Sequence, residues 1–393
     1  LVFLLSCTAK DASLIPADLA QFKSSATVNS RWQAALDGNA RTSGIGPFKS
    51  GRVYSRPIFG DGGYRRFYMA IEGDILYAMT KKGNVFAVNK NNGSILWRAH
   101  LSDNIGGGLS LNENVLFAGT LDGYVLALST ADGSVLWKTK VSTEIISPPK
   151  SNGKQVLVTA IDGRLVALNA ATGEQLWNYD HPQPLLTFRA QASPLLFDDQ
   201  AFVAFDNGQL LSFGTREGDL RWSVRVSQPQ GITELERAVD LDATPISRGP
   251  FILSAGANGR IVAVSRGSGK ISWAEDASVY NDIVANDDAV FYADEASHLF
   301  ARRLASGQVL WQNKEFHRRN LGPPALLGSY LLAIDGSNFL HVLDSTTGQI
   351  AARTALLGNG YGSPMIVDNG IAYVLSDNGS LSAYEVTPKE TAN

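Results

Sequence analysis

Cysteine is almost absent: the 393 residues contain one, Cys7. No internal disulfide can form, and zinc sites built on several thiolates or Cys-x-x-Cys redox chemistry are excluded. Charge is sparse and balanced, with 34 Lys and Arg against 37 Asp and Glu and a net charge of −3. That balance gives no electrostatic ground for a nucleic-acid partner. No run of 18 apolar residues follows the first few positions, so nothing reads as a membrane-spanning helix. The five histidines, His100, His181, His298, His317 and His341, show no metal-ligand spacing and are expected on the surface or in loops. Neither a Gly-x-Ser-x-Gly elbow nor a phosphate-binding glycine loop occurs. No catalytic constellation is found, and the sequence assigns no cofactor or metal ligand.

Glycine is abundant, at 38 residues, and 44% of the chain is apolar. Its dominant feature is an internal repeat. Gly83-Asn-Val-Phe-Ala-Val, Gly123-Tyr-Val-Leu-Ala-Leu, Gly163-Arg-Leu-Val-Ala-Leu, Gly208-Gln-Leu-Leu-Ser-Phe and Gly259-Arg-Ile-Val-Ala-Val are copies of one run. Weaker copies start at Ser297, Ser337 and Gly379. Each follows another apolar run, joined to it by residues such as Asp122-Gly123 or Asp206-Asn207-Gly208, which supply the positive φ angles of a tight hairpin. A third run ends in tryptophan at Trp97, Trp137, Trp177, Trp222, Trp273 and Trp311.

With one strand before each hairpin, the repeat predicts four-stranded antiparallel sheets of about forty residues, the period of a propeller blade. Repeated prolines (Pro148, Pro194, Pro245, Pro323, Pro364) mark the starts of the inner strands, where no ladder hydrogen bond is lost. The seventh copy has Ala352 in place of tryptophan, and the eighth lacks a fourth strand. Trp32 supplies the missing indole, so the fold expected is all-β, an eight-bladed propeller whose last blade is closed by the N-terminal strand. The propeller is placed over 29–386, with a flexible tether over 8–28 and a disordered tail over 387–393.

At the N-terminus, Leu1-Val-Phe-Leu-Leu-Ser-Cys7 gives way at once to polar residues. It reads as the remnant of a secretory signal peptide. Leu4-Leu5-Ser6-Cys7 resembles the bacterial lipobox, which implies that the Cys7 sulfur is acylated, and Thr8 after it implies the outer membrane.

The pattern Gly-x-hydrophobic-x-Ala-hydrophobic, a turn, then Gly-x-x-x-Trp resembles the repeat of the pyrroloquinoline-quinone (PQQ) propellers, shared by dehydrogenases and non-catalytic scaffolds. Within these the chain is similar to the BamB family of outer-membrane lipoproteins over nearly its whole length. Two segments make the likeness specific. The tryptophan spacing stretches from 40 to 45 and then 51 residues, so two long loops fall on neighbouring blades and are expected to project from one face. Loop one contains Leu186-Thr-Phe188-Arg189, similar to the family's Leu-Ser-Leu-Arg. Loop two contains Gly231-Ile-Thr-Glu-Leu-Glu-Arg237 and Asp240-Leu-Asp242-Ala-Thr-Pro245.

The resemblance implies that these loops dock BamA through its periplasmic POTRA domains, with Leu186, Phe188, Arg189, Asp240 and Asp242 as the partner-binding positions. It further implies a lipid-anchored, non-catalytic member of the β-barrel assembly (Bam) complex at the periplasmic face of the outer membrane, assisting unfolded barrel precursors. The alternative is a PQQ-dependent periplasmic dehydrogenase. In such enzymes a tryptophan stacks on the quinone, a Ca2+ ion binds it and a vicinal disulfide is common; here Cys7 has no partner.

Overall fold

The computed structural model describes residues 15–38, 69–182, 184, 192–228, 239–358 and 363–389. These form eight antiparallel four-stranded sheets. The first seven blades span 69–100 (strands β2–β5), 105–140 (β6–β9), 150–180 (β10–β13), 195–225 (β14–β17), 246–276 (β18–β21), 284–313 (β22–β25) and 325–355 (β26–β29). The eighth combines β30 (Ile366–Asp368), β31 (Ile371–Leu375) and β32 (Ser380–Pro388) with β1 (Ala26–Ala35). Inner strands touch their neighbours around a closed ring, β30 meeting β2.

Burial explains the sequence pattern. The second and third strands of each blade are sandwiched between adjacent blades and therefore read as continuous apolar runs, as in β8 (Tyr124–Ser129). The outer strands have solvent on one side and alternate, as in β9 (Val135–Lys140). Every outer strand also carries a register shift, so that Leu136, for example, is bulged between Val135 opposite Leu128 and Trp137 opposite Ala127. Such bulges bend the free edge and discourage edge-to-edge association.

Each indole joins two blades. Trp137 packs against Phe117 of its own blade, ring centroids 6.0 Å apart, and its Nε1 donates to Ala170 O of the next blade at 3.0 Å. The same reach recurs from Trp97 to Thr130 O at 2.9 Å, and from Trp32 to Lys90 O at 2.8 Å. A Cβ on Gly173, in the turn that receives Trp137, would lie 2.7 Å from that indole, which is why glycine precedes each tryptophan motif. Ala352 now has a reason. Its neighbour, blade eight, is assembled from the two chain ends and has no turn between its third and outer strands to receive an indole.

Two boundaries differ from those expected. The closing strand begins at Ala26 rather than at 29, and Thr387 and Pro388, assigned to the tail, pair with Thr27 and Ala26. A hydrogen bond from Asn29 Nδ2 to Thr387 Oγ1 (3.2 Å) joins the two strands there. Residues 15–25 have no strand structure, which accounts for the missing periodicity, yet they are tied to blade seven by bonds described below. Residues 8–14 and 390–393 lie outside the described residues.

Candidate functional site

An up-down-up-down blade places the hairpin between its second and third strands on the same face as the connection from its outer strand to the next blade. We call this the loop face. Loops one and two are such connections, from β13 (Gln175–Asp180) to β14 (Leu195–Phe197) and from β17 (Leu220–Arg225) to β18 (Ile246–Arg248). The connection between β1 and β2 (Met69–Glu72) leaves the same face, and the sequence reading did not single it out.

The two loops share one footing, the Asp206-Asn207-Gly208 hairpin of blade four. Loop one starts at His181, whose Nε2 accepts from Asn207 Nδ2 at 2.7 Å and whose ring centroid lies 4.2 Å from that of Phe205. Burial pushes the imidazole pKa down, which keeps it neutral and able to accept that bond. Loop two starts at Val226 and Ser227, whose amides both donate to Gly208 O, at 2.9 and 3.2 Å. A Cβ on Gly208 would lie 2.5 Å from Ser227 O and 3.3 Å from Val239, so glycine lets both ends of loop two close over the hairpin. Ala192 at the end of loop one belongs to the same apolar cluster as Val226 and Leu241 of loop two.

Loop two returns by a bridge between Asp240 and Ala257, with Ala257 N donating to Asp240 O at 2.9 Å. Asp240 and Asp242 are buried, 0% and 1% exposed. Both therefore lie in the footing of loop two, where Thr244 N donates to Asp282 Oδ1 at 2.8 Å. Leu186, Phe188 and Arg189 lie outside the described residues, as does Cys7.

Asp206 is buried beneath this footing, and desolvation raises its carboxyl pKa to about 7. A carboxyl raised on folding contributes stability below its unfolded value near 4, and this is lost as pH climbs to about 7. Asp206→Asn is expected to melt like wild type below pH 4 and to be more stable above pH 7, by at most about 4 kcal/mol. Equal melting temperatures at both pH values would refute this.

Of the five histidines, expected on the surface or in loops, His100 is exposed and His181, His298 and His317 stand in loops, but His341 does not fit: it lies within a strand of blade seven. His341 is fully buried, with Nε2 at 2.9 Å from Asp335 Oδ2, and His298 Nδ1 lies 3.0 Å from Asp294. Arg319, in the connection between blades six and seven, forms an ion pair with Asp335 at 2.7 Å. Burial pushes the Asp335 carboxyl up, but the hydrogen bonds from His341 and the Phe339 amide, with the charge of Arg319, outweigh it and hold it below the usual range. No single-residue motif announced this cluster, because its members come from three separate stretches of blades six and seven.

Comparison with known proteins follows the same lines. A family model described as outer membrane protein assembly factor BamB matches residues 81–313 and 305–390. The chain is 41% identical to the Legionella pneumophila protein of that name over 82% of its length and 84% of the relative's. It is 35% identical to the Pseudomonas aeruginosa one over 95% and 93%. The BamB crystal structure from Moraxella catarrhalis superposes with a TM-score of 0.79 at 22% identity, covering 91% of this chain and all of that one. A quinohemoprotein alcohol dehydrogenase from Pseudomonas putida shares the fold alone, with a TM-score of 0.66 at 10% identity over 93% of this chain and 77% of that one. The chain is a member of the outer membrane protein assembly factor BamB family.

Proposed function

We propose that the chain is a non-catalytic scaffold of the Bam complex, anchored by acylated Cys7 at the periplasmic face of the outer membrane. It presents loops one and two to the POTRA domains of BamA, and so assists the folding and insertion of outer-membrane proteins. The observation that carries the reading is the common footing: two long loops rise from one hairpin and one apolar cluster on the same face. A rigid base reduces the ordering entropy that a partner must overcome on binding.

In this reading Leu186 and Phe188 are apolar anchors next to Arg189 in sequence, a composition favoured at binding hot spots. Asp240 and Asp242 act from below, shaping loop two. The dehydrogenase alternative is disfavoured by the tryptophans. All seven stand on outer strands and donate Nε1–H to a carbonyl of the next blade, a position that ties blades together away from the inner strands at the centre of the ring.

The test is co-purification with BamA. Arg189→Ala and Leu186→Ala are each expected to weaken retention by roughly thirty-fold, the equivalent of ~2 kcal/mol. Full retention by both variants would remove the site assignment.

A further inference from the structure

Blade seven holds a charge network with an uneven balance. The Asp335 carboxylate, with no exposed surface, receives Arg319 through Nε at 2.8 Å and Nη2 at 2.7 Å, and His341 through Nε2 at 2.9 Å. His341 Nδ1 in turn accepts from Arg353 Nε at 3.1 Å, which fixes the neutral tautomer. One guanidinium thus pairs with the carboxylate directly, and a second is linked to it through neutral His341. Their remaining N–H groups need acceptors, since unsatisfied donors of a buried cation are costly.

The segment before the propeller supplies them. Arg319 Nη1 donates to Ala17 O at 2.9 Å, and Arg353 Nη1 donates to Ala20 O at 3.1 Å. The Arg353 guanidinium also lies over the Phe22 ring, 5.0 Å from its centroid, and Phe22 packs with Ala20 against the apolar core shared by blades six and seven. Main-chain bonds fasten both ends of the segment: Ala17 N to His317 O and Ser25 N to Ala351 O, each at 2.9 Å.

Direction follows from these partners. His317 and Arg319 belong to the connection between blades six and seven, on the loop face. Ala351 stands near the start of β29 (Ile350–Ala355), towards the opposite face. Residues 17–25 therefore climb the outer strand of blade seven from the loop face and then turn into β1. They cover Ile350 and Ala351, 7% and 2% exposed, whereas Val135 and Leu136 at the equivalent places of blade two are 49% and 54% exposed.

We propose that the Arg319–Asp335–His341–Arg353 network is a clasp that sets where the upstream chain leaves the disc: at Ala17, on the face that carries loops one and two. The consequence for orientation rests on the reading that Cys7 bears the lipid. Ten Cα–Cα steps lead from Cys7 to Ala17, a span of at most roughly 35 Å, so the loop face is held towards the bilayer. Without the clasp the chain is first fixed at Ala26, on the other face, with about twice that reach.

The experiment uses the full chain, lipidated at Cys7 and placed in phosphatidylethanolamine–phosphatidylglycerol vesicles. The weakened form is Ala17→Pro with Phe22→Ser, which leaves the buried charges in place, and Arg353→Ala serves as a second variant. Trypsin cleavage after Lys23 is expected to be at least ten-fold faster in both variants than in wild type. A fluorophore on Asp122→Cys, in a loop-face hairpin, is expected to be quenched by headgroup-labelled lipid more strongly than one on Asp132→Cys, in a turn on the other face, and the difference is expected to vanish on release. Unchanged cleavage in both variants, or stronger quenching at position 132 in wild type, would overturn the proposal. Vesicles that fail to retain the chain while Lys23 stays protected would refute the lipid anchor and its orientation, and leave the clasp standing.

Discussion

Removing β1, by starting the chain at Leu36, is expected to lower the melting temperature by roughly 10 °C or more. The strand runs from Ala26 opposite Pro388 to Ala35 opposite Ser380, and it alone completes blade eight. Its loss strips a ladder from β32 and deletes Trp32, which packs 6.0 Å from Tyr373 and donates to Lys90 O of blade one. The junction of blades eight and one would then have neither indole nor outer strand. Trp32 is partly buried, so its loss costs at most about 3–5 kcal/mol, to which the lost ladder adds, and in a domain of this size each kcal/mol is worth about 2 °C. The exposed β32 edge would also template association, so light scattering should rise with the same transition. A truncated chain melting within 2 °C of the full one would show that the ring does not depend on closure through its first strand.

The second large effect is expected at Gly256, where one methyl group should disturb partner binding without touching loop one or the partner. A Cβ on Gly256 would lie 1.9 Å from Asp240 O and 2.8 Å from the Asp240 carbonyl carbon. Both are backbone atoms and cannot swing aside. Gly256→Ala must therefore open the bridge at Asp240 and Ala257, and with it the return of loop two into blade five. Overpacking of this kind costs about 1–3 kcal/mol in stability. On the reading given above, affinity for the BamA POTRA domains should fall at least ten-fold while the far-ultraviolet circular dichroism stays that of the wild type. Gly267→Ala is the control, because nothing lies within 4 Å of its would-be Cβ. Equal affinity of Gly256→Ala and Gly267→Ala would show that the base of loop two has no part in docking.

Much of the fold was legible in the residues because its signals are local. Hairpins at Gly83, Gly123, Gly163, Gly208 and Gly259 follow from turn chemistry, and the tryptophan spacing marks the outer strands. The choice of Trp32 as the indole of the last blade was a counting argument, and the strand pairing agrees with it. Asp240 and Asp242 were legible as members of a special segment, but not as buried groups. Their side-chain type suggests exposure, and only the bridging of this segment to blade five at Ala257 accompanies their removal from water.

By itself, then, the sequence determined the number of blades, their strand order and which blade the N-terminus completes, since period-two runs and positive-φ turns act over a few residues. Tertiary structure alone decided that each indole serves the next blade, that Ala352 stands where no turn awaits it, and that residues 17–25 lie against blade seven. The physical reason is distance along the chain. Arg319 meets Ala17 across 302 positions and Arg353 meets Ala20 across 333, and the atoms they hold are backbone carbonyls, which every residue has and no motif can mark.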